Sequence, residues 1–160
     1  MGLDMYLHKK VDGKVYDFSK QYPSNRANKV VVKTITTFGD GEIKETEHSI
    51  VNPDFDVEIL LPFAYWRKAN EIHKWILDYT KKEDNCQRIW LSGKALLKLV
   101  DLCKQVLADH SKAPDLLPTC SGFFFGSTDY DEWYFDDLQR TCDMLQDVKP
   151  DEEFIYQASW

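Results

Sequence analysis

The apolar residues of this chain change their period along its length, and that change limits the fold more than any single motif. Near the start, Leu3, Met5 and Leu7 alternate with Asp4, Tyr6 and His8, the two-residue period of a strand with one buried face. Further on, Tyr65, Trp66, Ala69, Ile72, Ile76 and Leu77 recur at helical spacing as far as about Lys82, and Pro62 suits the first turn of that helix. Strand and helix periods in separate stretches describe an α+β chain.

The remaining segments extend this pattern. Lys29 to Phe38 is rich in β-branched residues, Gly39-Asp40-Gly41 turns the chain, and Glu42 to Val51 returns it as a β-hairpin. The return strand carries Glu42, Lys44, Glu45 and Glu47, so one hairpin face meets water. A short strand at Arg88 to Leu91 leads to Ser92, which caps a second helix with Leu96, Leu99, Val100, Cys103, Val106 and Leu107 in one stripe, ending near His110. Pro114 and Pro118 mark a loop, and Gly122-Phe123-Phe124-Phe125-Gly126 reads as a short buried strand. Thr128 with Asp131 fits a capping pattern for a third helix, with Tyr134, Leu138, Cys142 and Leu145 on one side and Pro150 as its stop. Glu153 to Trp160 reads as a terminal strand. The expectation is one α+β domain over residues 1–160, mainly an antiparallel sheet of about six strands with three helices.

Composition narrows the function classes. The net charge of −7 is concentrated: residues 121–160 hold ten acids against Arg140 and Lys149, a net of −8, which leaves +1 for the rest. An acidic surface repels phosphate backbones, so direct nucleic-acid binding is not expected, whereas a basic protein partner is compatible. No apolar run approaches the roughly 18 residues that would span a bilayer, and the first ten residues hold no secretory h-region. Cys86, Cys103, Cys120 and Cys142 lie 17, 17 and 22 residues apart with no C-x-x-C, so they are expected as reduced thiols rather than metal ligands. There is no G-x-G-x-x-G and no P-loop, and no cofactor is expected.

Three segments, MGLDMYL at the start, YWRKANEIHKW at 65–75 and SGFFFGSTDYDEWY at 121–134, together resemble a family of small uncharacterised proteins of tailed phages and prophages. The resemblance implies a phage accessory protein in the host bacterial cytoplasm. It brings no established activity, fold or catalytic residues with it.

Two surfaces follow from the residues themselves. In the third helix and the turn before it, Tyr130, Trp133, Tyr134 and Phe135 are interleaved with Asp129, Asp131, Glu132, Asp136 and Asp137, too many rings for one core face. Rings within an acidic rim suit a protein interface, so this helix is expected to bind, and inhibit by occlusion, a host or defence protein with a basic surface. The second surface is a small-ligand pocket of Trp66, Asn70 and His73 with Ser127 and Tyr130, for which a nucleotide is the expected ligand. Arg67 and Lys68 are candidates to meet its phosphate, and Ser127 and Thr128 lie in a strand-to-helix turn of the kind that attracts anions. Asp129, Asp131 and Glu132 oppose an anion at that turn. Asn70 and His73 read more readily as satisfied core groups, and Arg67, Glu71, Lys74 and Asp78 as a solvated face. An enzyme that uses Asp4 and His8, on one face of the first strand, or His73 is the least favoured reading.

Overall fold

The computed structural model describes residues 2–11, 15–16, 29–37, 43–51 and 59–160, with side chains placed for 2–11 and 60–160. The turn expected at Gly39-Asp40-Gly41 lies outside the described residues. The chain divides into two compact units, Met1–Lys10 with Leu60–Trp160, and Val11–Ile59.

The smaller unit is an antiparallel sheet of β2 (Val15–Tyr16), β3 (Lys29–Thr37) and β4 (Ile43–Val51), in which β3 is central. Its β3–β4 register runs from Lys29 opposite Val51 to Thr37 opposite Ile43, the hairpin that the β-branched run predicts.

The larger unit is built on a four-stranded sheet in the order β5-β1-β7-β6, from β5 (Ile59–Arg67), β1 (Asp4–Val11), β7 (Glu153–Ser159) and β6 (Ile89–Ser92). β7 runs antiparallel to both β1 and β6. Register places Leu7 beside Tyr156 and Tyr156 beside Ile89, so these three side chains form one row on the buried face. Met5 with Ala158, and Leu91 with Phe154, form the neighbouring rows. The opposite face carries Asp4, Tyr6 and His8, the alternate residues of β1. Four helices complete this unit: α1 (Asn70–Thr80), α2 (Gly93–Ala108), the short α3 (Ala113–Leu116) and α4 (Glu132–Met144). Their apolar stripes, among them Ile72, Leu96, Leu99, Cys103 and Leu138, join the sheet residues in one core. Burying each such side chain contributes about 1.5–3 kcal/mol. Ser92 caps α2 as expected, accepting from the Ala95 amide at 3.3 Å. Gly93 is required beside it, because a Cβ there would lie 1.8 Å from the Lys149 carbonyl oxygen.

The α+β class agrees with the sequence, but several elements differ. Residues 62–67 belong to strand β5 and not to a helix. β5 is an edge strand, where a proline without an N–H interrupts no ladder on its free side, so Pro62 is accommodated in it. The chain then turns at Lys68, with φ 64°, and α1 starts only at Asn70. Trp66 therefore alternates with exposed Tyr65 as a strand residue, fully buried on the core side. Residues 122–126 are a loop and not a buried strand. The Gly122 carbonyl accepts from the Phe124 and Phe125 amides, Phe124 has φ 129°, and of the three rings only Phe125 is buried while Phe123 is 82% exposed. α4 is capped by Asp131, not Thr128, and ends at Met144, six residues before Pro150. Among the described residues the strands number seven, in two sheets, and the helices four, against about six and three expected.

Candidate functional site

Asn70, the first residue of α1, fixes one wall of a cleft. Its amide nitrogen donates to the carbonyls of Phe125 at 3.2 Å and Ser127 at 2.8 Å, and its oxygen accepts from the Cys120 amide at 2.8 Å. One buried side chain thereby pins both ends of the 120–127 loop against α1. The opposite wall is α4. Trp66 donates from Nε1 to the Thr141 hydroxyl at 2.8 Å, and the Tyr134 hydroxyl donates to the Leu117 carbonyl at 2.8 Å, which hold α4 against the sheet and the end of α3. The Asp131 carboxylate accepts from the Tyr134 amide at 3.1 Å and starts the helix there.

Between these walls lies a cleft of about 380 Å³, within the size range of small-ligand sites. β5 and its end contribute Arg67 and Lys68, α1 contributes Asn70 and Glu71, and the loop contributes Thr119, Gly126, Ser127 and Asp129. The fourth side consists of Asp131, Trp133, Tyr134, Asp137 and Arg140. Trp133 stands at this cleft with 78% of its surface exposed.

Glu71 is the group that makes the cleft unusual. Its residue is only 3% exposed, and its Oε1 is buried without a hydrogen-bond partner. A first-turn position favours an ionised carboxylate through the helix dipole. Burial outweighs that, and with repulsion from Asp137 and Asp131 it pushes the Glu71 carboxyl up to about 8, against only its own backbone N–H acting downward. Glu71 is therefore a neutral acid at pH 7, able to donate and accept. Burial likewise pushes Asp137 up to about 6, with Arg140, whose Nη1 lies 3.5 Å away, pulling it down. Two carboxyls with separated titrations in one concave site mark a functional-site candidate.

The sequence-derived sets divide across this geometry. Arg67, Asn70 and Ser127 from the ligand set line the cleft, together with Asp129, Asp131, Trp133 and Asp137 from the protein-binding set. Thr128 does not line it; its carbonyl accepts from the Thr119 hydroxyl. Trp66 lies behind the wall in the core. His73 is a satisfied core histidine: Nδ1 meets the Tyr156 hydroxyl at 2.7 Å, Nε2 meets Asp84 at 3.0 Å, and Phe125 packs edge-on. Burial holds its imidazole below the ordinary value despite Asp84. Tyr130, Glu132 and Asp136 are exposed outside the cleft. Asp4 is engaged by the Tyr65 hydroxyl, with Arg67 at 4.0 Å, and with His8 it lies on the sheet face away from the core, so neither reaches Glu71.

Sequence reasoning placed Glu71 on a solvated helix face and gave Arg140 no role. Starting α1 at Asn70 instead of Pro62 removes Arg67 from the charged line that made Glu71 look exposed. Among the described residues no three His, Cys, Asp or Glu side chains converge as a metal ion would need, and no helix is long and apolar enough to cross a membrane. No family model, curated protein or solved structure matches the chain. The phage resemblance rests on the three segments alone.

Proposed function

We propose that this protein binds a nucleotide in the cleft over Glu71. The observation that carries the reading is the buried Glu71 side chain, whose Oε1 has no hydrogen-bond partner, lining a cleft of about 380 Å³. Leaving such a group unpaired costs about 1–3 kcal/mol, which a ligand with a complementary hydrogen-bonding group recovers. Trp133 offers an exposed flat ring on which a base can stack, and Arg67 and Lys68 provide cations at the β5 side for a phosphate. Together with the phage resemblance, this supports a cytoplasmic accessory protein that sequesters a host nucleotide, with no catalytic step required. In calorimetric titrations at about millimolar nucleoside monophosphates, binding is expected to weaken by roughly 1–3 kcal/mol in Trp133→Ala, the worth of one stacked base. If no nucleotide binds, or Trp133→Ala binds as well as the wild type, the reading fails.

A second reading is favoured by the exposure of the same helix. Trp133 is mostly exposed, and Asp129, Glu132 and Asp136 present acid close to it in the chain, which suits occlusion of a basic host or defence protein. A partner captured by the wild type, lost with Trp133→Ala and retained when nucleotide fills the cleft would put this reading first.

A further inference from the structure

Three cations line the cleft, and two of them already serve a carboxylate. Arg67 lies with its Nε 4.0 Å from Asp4, and Arg140 with its Nη1 3.5 Å from Asp137. Lys68, among the described residues, makes no ion pair and no side-chain hydrogen bond, so the three donors of its ammonium are left for a ligand. The hydroxyls of the loop are engaged: Ser127 donates to the Asp129 carboxylate at 3.1 Å and Thr119 to the Thr128 carbonyl at 2.9 Å.

The backbone explains how Lys68 comes to stand there. Alternation at the end of β5 buries Trp66 and exposes Arg67, and one more extended residue would point Lys68 to the core side with Trp66. Instead Lys68 has φ 64°, and it is held in that left-handed turn by its amide, which donates to the Leu3 carbonyl, and its carbonyl, which accepts from the Asn70 amide, both at 2.8 Å. A residue with a Cβ adopts this conformation at a cost that glycine avoids, so the turn by itself does not call for a lysine. The stem is confined as well. A Cβ at Gly126 would lie 3.2 Å from Lys68 Cβ and 3.5 Å from its Cδ, and one at Gly2 would lie 3.6 Å from its Cε. The stem therefore runs against two bare glycine backbones, and less of its rotamer freedom remains to be lost on binding.

We infer that Lys68 is the anchor for the ligand's phosphate, held by its left-handed turn and the two glycines so that its ammonium meets a phosphomonoester at the β5 end of the cleft. This rests on the nucleotide reading above and adds which cation takes the phosphate and which way round the ligand lies. Asp131 and Asp137 belong to the α4 side and repel an anion there, while Asp129 is tied to Ser127 within its own loop. The phosphate accordingly lies at Lys68 and the base towards the exposed ring of Trp133. Arg67, drawn to Asp4, is secondary.

The test is calorimetric titration of AMP, CMP, GMP and UMP, and of the four corresponding nucleosides, into the wild type, Lys68→Met and Arg67→Met. The wild type is expected to bind a nucleotide at least about tenfold more tightly than its nucleoside. Lys68→Met, which keeps the stem and removes the charge, is expected to weaken nucleotide binding roughly 10–100-fold, towards the affinity of the nucleoside, the worth of a hydrogen bond to a charged group. Arg67→Met is expected to weaken it by less than about threefold, as for an exposed cation already paired. Lys68→Gly, which the left-handed turn accepts without strain, is expected to give the same loss as Lys68→Met and replaces it if the methionine variant does not fold. Nucleotides that bind no better than their nucleosides, or that lose as much in Arg67→Met as in Lys68→Met, overturn this inference; if Trp133→Ala still weakens them, the cleft reading stands. Absence of binding by all four nucleotides overturns both.

Discussion

Glu71→Gln removes one titration while keeping the size and hydrogen-bonding capacity of the side chain, so its effect on stability isolates the charge. The unfolded carboxyl titrates at its ordinary value of 4.5, and the folded one at about 8. Below the unfolded value both states hold the proton and folding is unopposed. As pH rises between the two values the unfolded chain has released its proton and the folded chain has not, so stability declines at about 1.4 kcal/mol per pH unit. Across the whole window this amounts to about 4–5 kcal/mol, a large part of the 5–15 kcal/mol typical of a folded domain. Urea denaturation of both proteins at about pH 4, 6, 8 and 9 measures it. The wild type is expected to lose that stability relative to Glu71→Gln, which gains most at the alkaline end, while the two agree within about 1 kcal/mol at the acid end. Asp137, shifted upward as well, contributes its own decline at lower pH, but equally in both proteins. Parallel curves from acid to alkali would refute the argument that Glu71 is buried as a neutral acid.

Two further outcomes follow from the walls of the cleft. Asn70→Ala removes three hydrogen bonds that tie the 120–127 loop to α1 and is expected to cost about 2–3 kcal/mol in denaturant unfolding, with faster amide exchange at Cys120. Unchanged exchange there would mean the loop is held by other contacts. Arg140→Ala removes the cation that holds Asp137 down, so the Asp137 midpoint is expected to rise above about 6 in a side-chain NMR titration; a fall would contradict the assignment.

The core was legible in the sequence because its signals are local and periodic. Leu3, Met5 and Leu7 are buried as their alternation requires, and the α2 stripe and the Ser92 cap stand where spacing puts them. The start of α1 was not legible, because Tyr65, Trp66 and Ala69 satisfy helical spacing while Ile59–Arg67 pairs at a sheet edge. Strand pairing between residues about sixty apart leaves no local signature. The Phe123–Phe125 run departs from its apolar pattern for a related reason: a Gly-bounded turn beside β1 exposes one ring and buries another, which composition does not encode. In the candidate site, Asn70, Arg67 and Ser127 were recognised as residues, but Glu71 was not. Its burial comes from α4 and the loop closing over the first turn of α1, and a glutamate in a charged helical sequence looks solvated until that packing is known.

The proposed function depends on a neutral Glu71 carboxyl, with one oxygen unpaired, lining the cleft. Its most direct test follows the Glu71 side-chain carboxyl carbon by NMR across pH in the free protein, assigned with Glu71→Gln. A midpoint near 8 is expected, and a midpoint in the ordinary glutamate range around 4.5 would show Glu71 to be an ordinary ionised carboxylate.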